Sequence, residues 1–119
     1  VLTARAENHV RGNPDLDDTI ARLQAYERAG ADVVYAPGLR SVEEIEAVSA
    51  ATEKPLNVLA RGNLSMEEMA GAGAQRVSVG GALAWAAAGA LVSAATRIHD
   101  NGDFSGLTGP GQISDWLSH

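Results

Sequence analysis

With 119 residues the chain has room for one domain and little more, and 45% hydrophobic with 20% charged residues describes a folded segment rather than a disordered one. A formal net charge of −6 gives no electrostatic support to non-specific nucleic-acid binding or to docking on an anionic membrane, so neither partner is expected. The absence of cysteine excludes disulfides, thiolate metal sites and a cysteine nucleophile from this stretch.

Short apolar runs alternate with longer amphipathic ones. Val1–Ala4 opens like the middle of a strand, without an initiator Met, which points to a piece of a longer protein. Leu16–Ala29 places Leu16, Ile20, Leu23 and Tyr26 or Glu27 on one face at helical spacing, and Gly30 stops it in the left-handed conformation. Asp15, Asp17 and Asp18 open that helix, where carboxylates complement the dipole. A second strand is predicted at Val33–Ala36, a third at Leu56–Ala60 and a fourth at Arg76–Val79, each bounded by Gly, Pro or polar residues as strands buried on both faces are. Ser41-Val42-Glu43-Glu44 and Ser65-Met66-Glu67-Glu68 both read as capping boxes that start helices. The last helix runs from about Ala82 to His99 and ends at Asn101-Gly102. Beyond it, Phe104, Ile113, Trp116 and Leu117 lie among Gly, Ser and Pro, as in a segment that docks on something, and Ser114 is placed to cap a short final turn.

Strand–helix alternation repeated four times means an α/β fold with parallel strands and right-handed crossovers. Two architectures satisfy it: a small doubly wound sheet closed within the chain, or four βα units forming half of a (β/α)8 barrel, which takes about 250 residues in full. The low aromatic content (4%) and the Ala-rich last helix leave little bulk to seal a core alone, and lean towards the half-barrel. No apolar run approaches the roughly 20 residues that cross a bilayer, and no basic-then-apolar leader is visible, so a cytoplasmic location is expected.

In either architecture ligands bind at the carboxyl ends of the strands. Those ends are Arg5-Ala6-Glu7-Asn8, Pro37-Gly38, Arg61-Gly62-Asn63 and Gly80-Gly81. Arg5 directly follows a buried strand, where a guanidinium is placed to grip a carboxylate or phosphate through a bidentate fork. Glu7 points the same way in an extended chain and either orients Arg5 or the water shell of a metal; alternatively the two simply pair and close the rim. Gly80-Gly81, at the start of the last helix, lets backbone amides approach an anion, or else only makes a tight turn. His9 and His99 lack a partner at ligand spacing and read as surface residues, and His119 is terminal. There is no Ser/His/Asp triad pattern, P-loop or GxGxxG.

The runs VLTARAEN, PDLDDTIARLQAYERAGADVVYAPGL, KPLNVLA and RVSVGGALA, in that order, resemble the isocitrate lyase/phosphoenolpyruvate mutase superfamily, and within it the carboxyvinyl-carboxyphosphonate phosphorylmutase-like branch. The resemblance implies that residues 1–104 are the C-terminal half of a (β/α)8 barrel and that 105–119 form a tail docking on a partner subunit of a homo-oligomer, a dimer or tetramer. It implies a Mg²⁺-dependent lyase or phosphonomutase acting on a small 2-oxo or 2-hydroxy carboxylic acid through an enolate-like species, with C–C cleavage favoured and the metal ligands upstream of this chain. Arg5 matches the family arginine that holds the substrate carboxylate, Glu7 a supporting acidic position, and Gly80 and Gly81 stand as further substrate contacts. No catalytic acid, base or nucleophile and no metal ligand is assigned within these residues, so the isolated chain is expected to be inactive. Ala36-Pro37-Gly38 stands where several branches carry Glu or His, and Leu59 where the lyases carry a polar residue, which sets the chain apart from isocitrate lyase and phosphoenolpyruvate mutase proper. The alternative is a non-catalytic half-barrel that self-associates and binds a small anion at Gly80-Gly81.

Overall fold

The computed structural model describes residues 1–107 and divides into two compact units, Val1–Gly80 and one that begins at Gly81. In the first unit four short strands, β1 (Thr3–Arg5), β2 (Val33–Tyr35), β3 (Leu56–Leu59) and β4 (Ala74–Ser78), form one parallel sheet in the order β1-β2-β3-β4. A doubly wound sheet reverses its strand order at a switch point. This one does not, and sequential order is what a barrel requires.

The helices α1 (Leu16–Arg28), α2 (Val42–Ala51) and α3 (Met66–Gly71) connect successive strands. Side chains alternate across a strand, so Ala6, Val34, Ala36, Leu56 and Val58 pack with Leu23, Ile45, Val48 and Met69 in one core. Fully burying each large aliphatic side chain there contributes about 1.5–3 kcal/mol. The same alternation places Arg5, Tyr35, Asn57 and Leu59 on the opposite sheet face.

Strand ends depart from the apolar runs by one or two residues, for local reasons. Leu2 lies just outside β1 because Asp32 pins it: its N–H donates to Asp32 Oδ2 at 2.7 Å while its carbonyl accepts from Asp32 and Val33 N–H. On the far side, β4 starts two residues earlier than its apolar run because the β3–β4 register jumps from Leu56↔Ala74 to Asn57↔Arg76. Gln75, the extra residue, offers its Oε1 to the Leu56 N–H at 2.7 Å, which replaces the lost ladder bond.

Helix starts follow the capping chemistry. Asp15 Oδ1 accepts from Asp18 N–H at 3.0 Å, and Asp18 pairs with Arg22 at 2.8 Å one turn on, so the acidic group serves the helix. Ser65 and Glu68 form the complete reciprocal box. At Ser41 only half the box forms: its hydroxyl accepts from Glu44 N–H, but Glu44 Oε2 reaches past it to Arg40 N–H at 2.6 Å.

The Ser65 N–H and hydroxyl hold the Glu68 carboxyl below its ordinary range. A lowered folded value means the box stabilises α3 above the ordinary carboxylate range and loses that contribution as pH falls through the lowered value. Ser65→Ala is expected to cost about 1 kcal/mol at neutral pH. In Glu68→Gln, amide exchange in the first turn of α3 should lose this acid dependence; an unchanged pH profile in that variant would contradict the assignment.

In the second unit, α4 (Ala82–Asn101) is a 20-residue helix whose Ala-rich sequence has high intrinsic helix propensity. Gly102, at φ 63°, ends it as read from Asn101-Gly102, and its N–H returns to Ile98 O at 2.9 Å. Arg97 then bridges Asp103 Oδ2 at 2.8 Å and Ser105 Oγ at 2.6 Å, holding the Asp103 carboxyl below its usual range and closing the turn before the 3₁₀ segment Ser105–Leu107. Phe104 is exposed, whereas Ile113, Ser114, Trp116, Leu117 and His119 fall outside the described residues. No described helix is long and apolar enough to cross a membrane.

Candidate carboxylate-binding site

Arg5 is the last residue of β1, and the ladder continues one residue further because Ala6 N–H donates to Tyr35 O at 2.9 Å. That extension keeps period-2 geometry through Glu7, so Arg5 and Glu7 emerge on the same side. Glu7 Oε1 accepts from Arg5 Nε at 2.7 Å and lies 2.6 Å from Nη2. Beyond Glu7 the chain turns: Asn8 Nδ2 donates to Asp15 O at 3.0 Å and to the buried Thr19 Oγ1 at 2.6 Å, which anchors the loop to α1.

The pairing expected as one reading of these residues is present, and it does not neutralise the rim. Arg11 Nε stands 3.8 Å from the other Glu7 oxygen, so one carboxylate serves two guanidinium groups and one positive charge is left over. The Arg5 side chain remains 52% exposed. Its Nη1–Nη2 edge is the one a carboxylate would take in bidentate fashion.

Across the sheet, the Arg5 guanidinium lies over the Tyr35 ring, 4.9 Å from its centroid. Register continues the row to Asn57 and Arg76. Asn57 is 2% exposed, donates Nδ2 to Ser78 Oγ at 3.1 Å, and leaves Oδ1 without a partner among the described residues. Tyr35 and Asn57 carry no local signal in the sequence beyond strand propensity; the pairings Arg5↔Tyr35 and Tyr35↔Asn57 are what put them on the same sheet face as Arg5.

The other strand ends contribute differently. Pro37 is buried, and Gly38, at φ 115°, brings the second loop against the first: a Cβ there would stand 2.7 Å from His9 Cβ. His9 is consequently half-buried, with Nε2 enclosed and unpartnered among the described residues, instead of lying free on the surface; His99 pairs with Asp100 at 2.7 Å. Asn63 ties the third loop to the second through Arg40 O at 2.7 Å. Gly80, at φ 52°, ends the first unit behind β4, and its missing Cβ would lie 3.5 Å from Leu59. Three strand spacings, about 14 Å along the sheet, separate β4 from β1, so Gly80 is not gathered with Arg5 and Glu7. Gly81 is the N-terminal flank of α4 in the second unit, without side-chain capping; its carbonyl accepts from Trp85 N–H at 3.0 Å.

A cavity of about 380 Å³ opens among His9, Gly12, Pro14, Gly38, Arg40 and Glu44 at the carboxyl end of the sheet. The larger one, about 550 Å³, lies at the opposite end, where Glu27 Oε1 accepts from the Glu53 and Lys54 N–H groups at 2.8 Å each. Those bonds are a loop tie, and parallel sheets bind ligands at the other end, so the site is placed at Arg5. Among the described residues no three His, Asp or Glu side chains come together in a group that could hold a metal ion, so they do not by themselves fit Mg²⁺.

A profile of the phosphoenolpyruvate phosphomutase family matches residues 1–99. An oxaloacetate decarboxylase of Bradyrhizobium diazoefficiens is 54% identical over 41 residues, which are 34% of this chain and 14% of that protein. Among solved structures, a provisionally named lyase/mutase from Burkholderia cenocepacia J2315 superposes with a TM-score of 0.90 at 51% identity, covering 99% of this chain and 45% of that one. Oxaloacetate acetylhydrolase, bound to its product oxalate, gives 0.76 at 27% identity, over 97% of this chain and 42% of that one. The chain thus spans less than half the length of the solved structures it matches. Its sheet of four parallel βα units is a partial (β/α)8 barrel, and with the family profile extending over residues 1–99 the chain belongs to the phosphoenolpyruvate phosphomutase family of the phosphoenolpyruvate mutase/isocitrate lyase superfamily.

Proposed function

We propose that the full-length protein is a lyase that cleaves a C–C bond in a small 2-oxo or 2-hydroxy carboxylic acid, with Arg5 holding the substrate carboxylate. The observation that carries this reading is the half-exposed guanidinium at the carboxyl end of β1, engaged by Glu7 along one edge and open along the other. Glu7 orients Arg5, and the surplus charge of the Arg5–Glu7–Arg11 group favours the anion. The relatives named for oxaloacetate chemistry support a small dicarboxylate as substrate. Residues 1–104 supply the C-terminal half of the barrel in this reading. Mg²⁺ is held by residues upstream of Val1. The assembly in this reading is a cytoplasmic dimer or tetramer.

The test is to assay the full-length protein against oxaloacetate and a panel of 2-oxo and 2-hydroxy dicarboxylates with Mg²⁺, following cleavage products. Turnover of at least one acid, abolished by a chelator and restored by Mg²⁺, is expected. A protein that turns over none of them and does not bind oxalate would overturn the proposal in favour of the non-catalytic half-barrel.

A further inference from the structure

We infer that Tyr35 is a positioning residue for the anion site, a fixed aromatic platform that sets the direction in which the Arg5 fork points. The inference rests on the carboxylate-binding reading of Arg5. It concerns a residue that this reading does not need.

An arginine has five N–H donors in one plane, and its long stem gives that plane many orientations. Two restraints act on Arg5. Glu7 Oε1 engages the Nε–Nη2 edge at 2.7 and 2.6 Å, which restrains the group along that edge but leaves it free to tilt about the shared oxygen. Tyr35 supplies the missing restraint, since the guanidinium carbon lies 4.9 Å from the centre of its ring. Register pairs the two residues directly, Arg5↔Tyr35, and the ring itself cannot drift. Tyr35 is 8% exposed, its carbonyl is tied to Ala6 N–H, and its neighbour on β3 is the buried Asn57. With edge and face both engaged, the Nη1–Nη2 fork is left open in a defined direction. A carboxylate then meets a preorganised pair of donors, without first having to order the side chain.

A hydroxyl is not needed for this role, whereas an aromatic face is. In the full-length protein, Tyr35→Phe should therefore bind oxalate within about two-fold of wild type. Tyr35→Leu should weaken oxalate binding about 5–20-fold and raise KM by a similar factor, with kcat changed less, in line with the usual strength of a cation–π contact. Arg5→Lys, which keeps the charge but lacks the fork, should lose affinity on its own, and adding Tyr35→Leu to it should cost little more. A second measurement reads the ring directly: the Arg5 Nε–H resonance, assigned by its loss in Arg5→Lys, should move downfield in Tyr35→Leu, where the ring current is removed and the Glu7 hydrogen bond remains. If Arg5→Lys leaves oxalate affinity unchanged, the carboxylate site itself is wrong. If Arg5→Lys weakens binding while Tyr35→Leu matches wild type, or if the resonance does not move in Tyr35→Leu, the platform role alone is overturned.

Discussion

Arg5→Ala in the full-length protein should lower kcat/KM for a small 2-oxo dicarboxylate by about 10³, the equivalent of roughly 4 kcal/mol of lost transition-state stabilisation. Two charge-assisted N–H···O bonds to the substrate vanish, each worth about 1.5–3 kcal/mol. The loss does not stop there. Glu7, whose Oε1 now takes two N–H contacts from Arg5, would face the substrate carboxylate with only Arg11, 3.8 Å away, to offset it. Removing that like charge should return part of the rate, so the double change Arg5→Ala with Glu7→Ala is expected to be about ten-fold more active than Arg5→Ala alone. Arg5→Lys, with charge but no planar fork, should fall between wild type and Arg5→Ala. Steady-state kinetics on the three variants decide the matter, and unchanged turnover in Arg5→Ala would remove this residue from the site.

The elements were legible because each carries a local signal that tertiary structure had no reason to override. Leu16, Ile20, Leu23 and Tyr26 fall on the buried side of α1, Asp15 and Ser65 cap as their types dictate, and Gly102 takes the left-handed turn expected of it. Arg5 and Glu7 were legible for a similar reason: two residues apart in an extended chain, they share a side. The sequence could not reveal what depends on register between strands. The β3–β4 irregularity at Leu56 and Asn57 shifts every later pairing, so the row Arg5–Tyr35–Asn57–Arg76 cannot be read without it. Nor does a sequence show which of two options a carboxylate takes. Glu44 sits three residues after Ser41 as in a capping box, yet its side chain bonds the Arg40 N–H, because that amide also points at the start of α2. His9 is a further case. Its enclosure comes from Gly38, nearly thirty residues away, and no local pattern connects the two.

That contact between loops makes Gly38→Ala the substitution expected to cost most stability among the positive-φ glycines at the site. At φ 115° an L-residue is strained whatever the space around it, by about 1–3 kcal/mol. Space is also lacking: the new methyl would meet His9 Cβ at 2.7 Å and Val10 Cγ1 at 3.4 Å. A Cβ is fixed to the backbone and cannot swing aside, so the His9–Arg11 turn must move, and overpacking of this kind costs a further 1–3 kcal/mol or so. Gly30 isolates the two contributions. Its φ is 99°, but a Cβ there meets nothing within 4 Å, so Gly30→Ala should show the backbone strain alone. In a barrel of about 250 residues, a destabilisation of ~3–4 kcal/mol in Gly38→Ala corresponds to a Tm drop of about 6–16 °C. Gly30→Ala should lose roughly half as much. Because the displaced turn begins two residues after Glu7, Gly38→Ala should also weaken oxalate binding at temperatures where the variant remains folded, whereas Gly30→Ala should leave it unchanged. Equal losses in the two variants would mean that the first and second loops do not meet as described, and the positioning of Glu7 beside Arg5 would have to come from elsewhere.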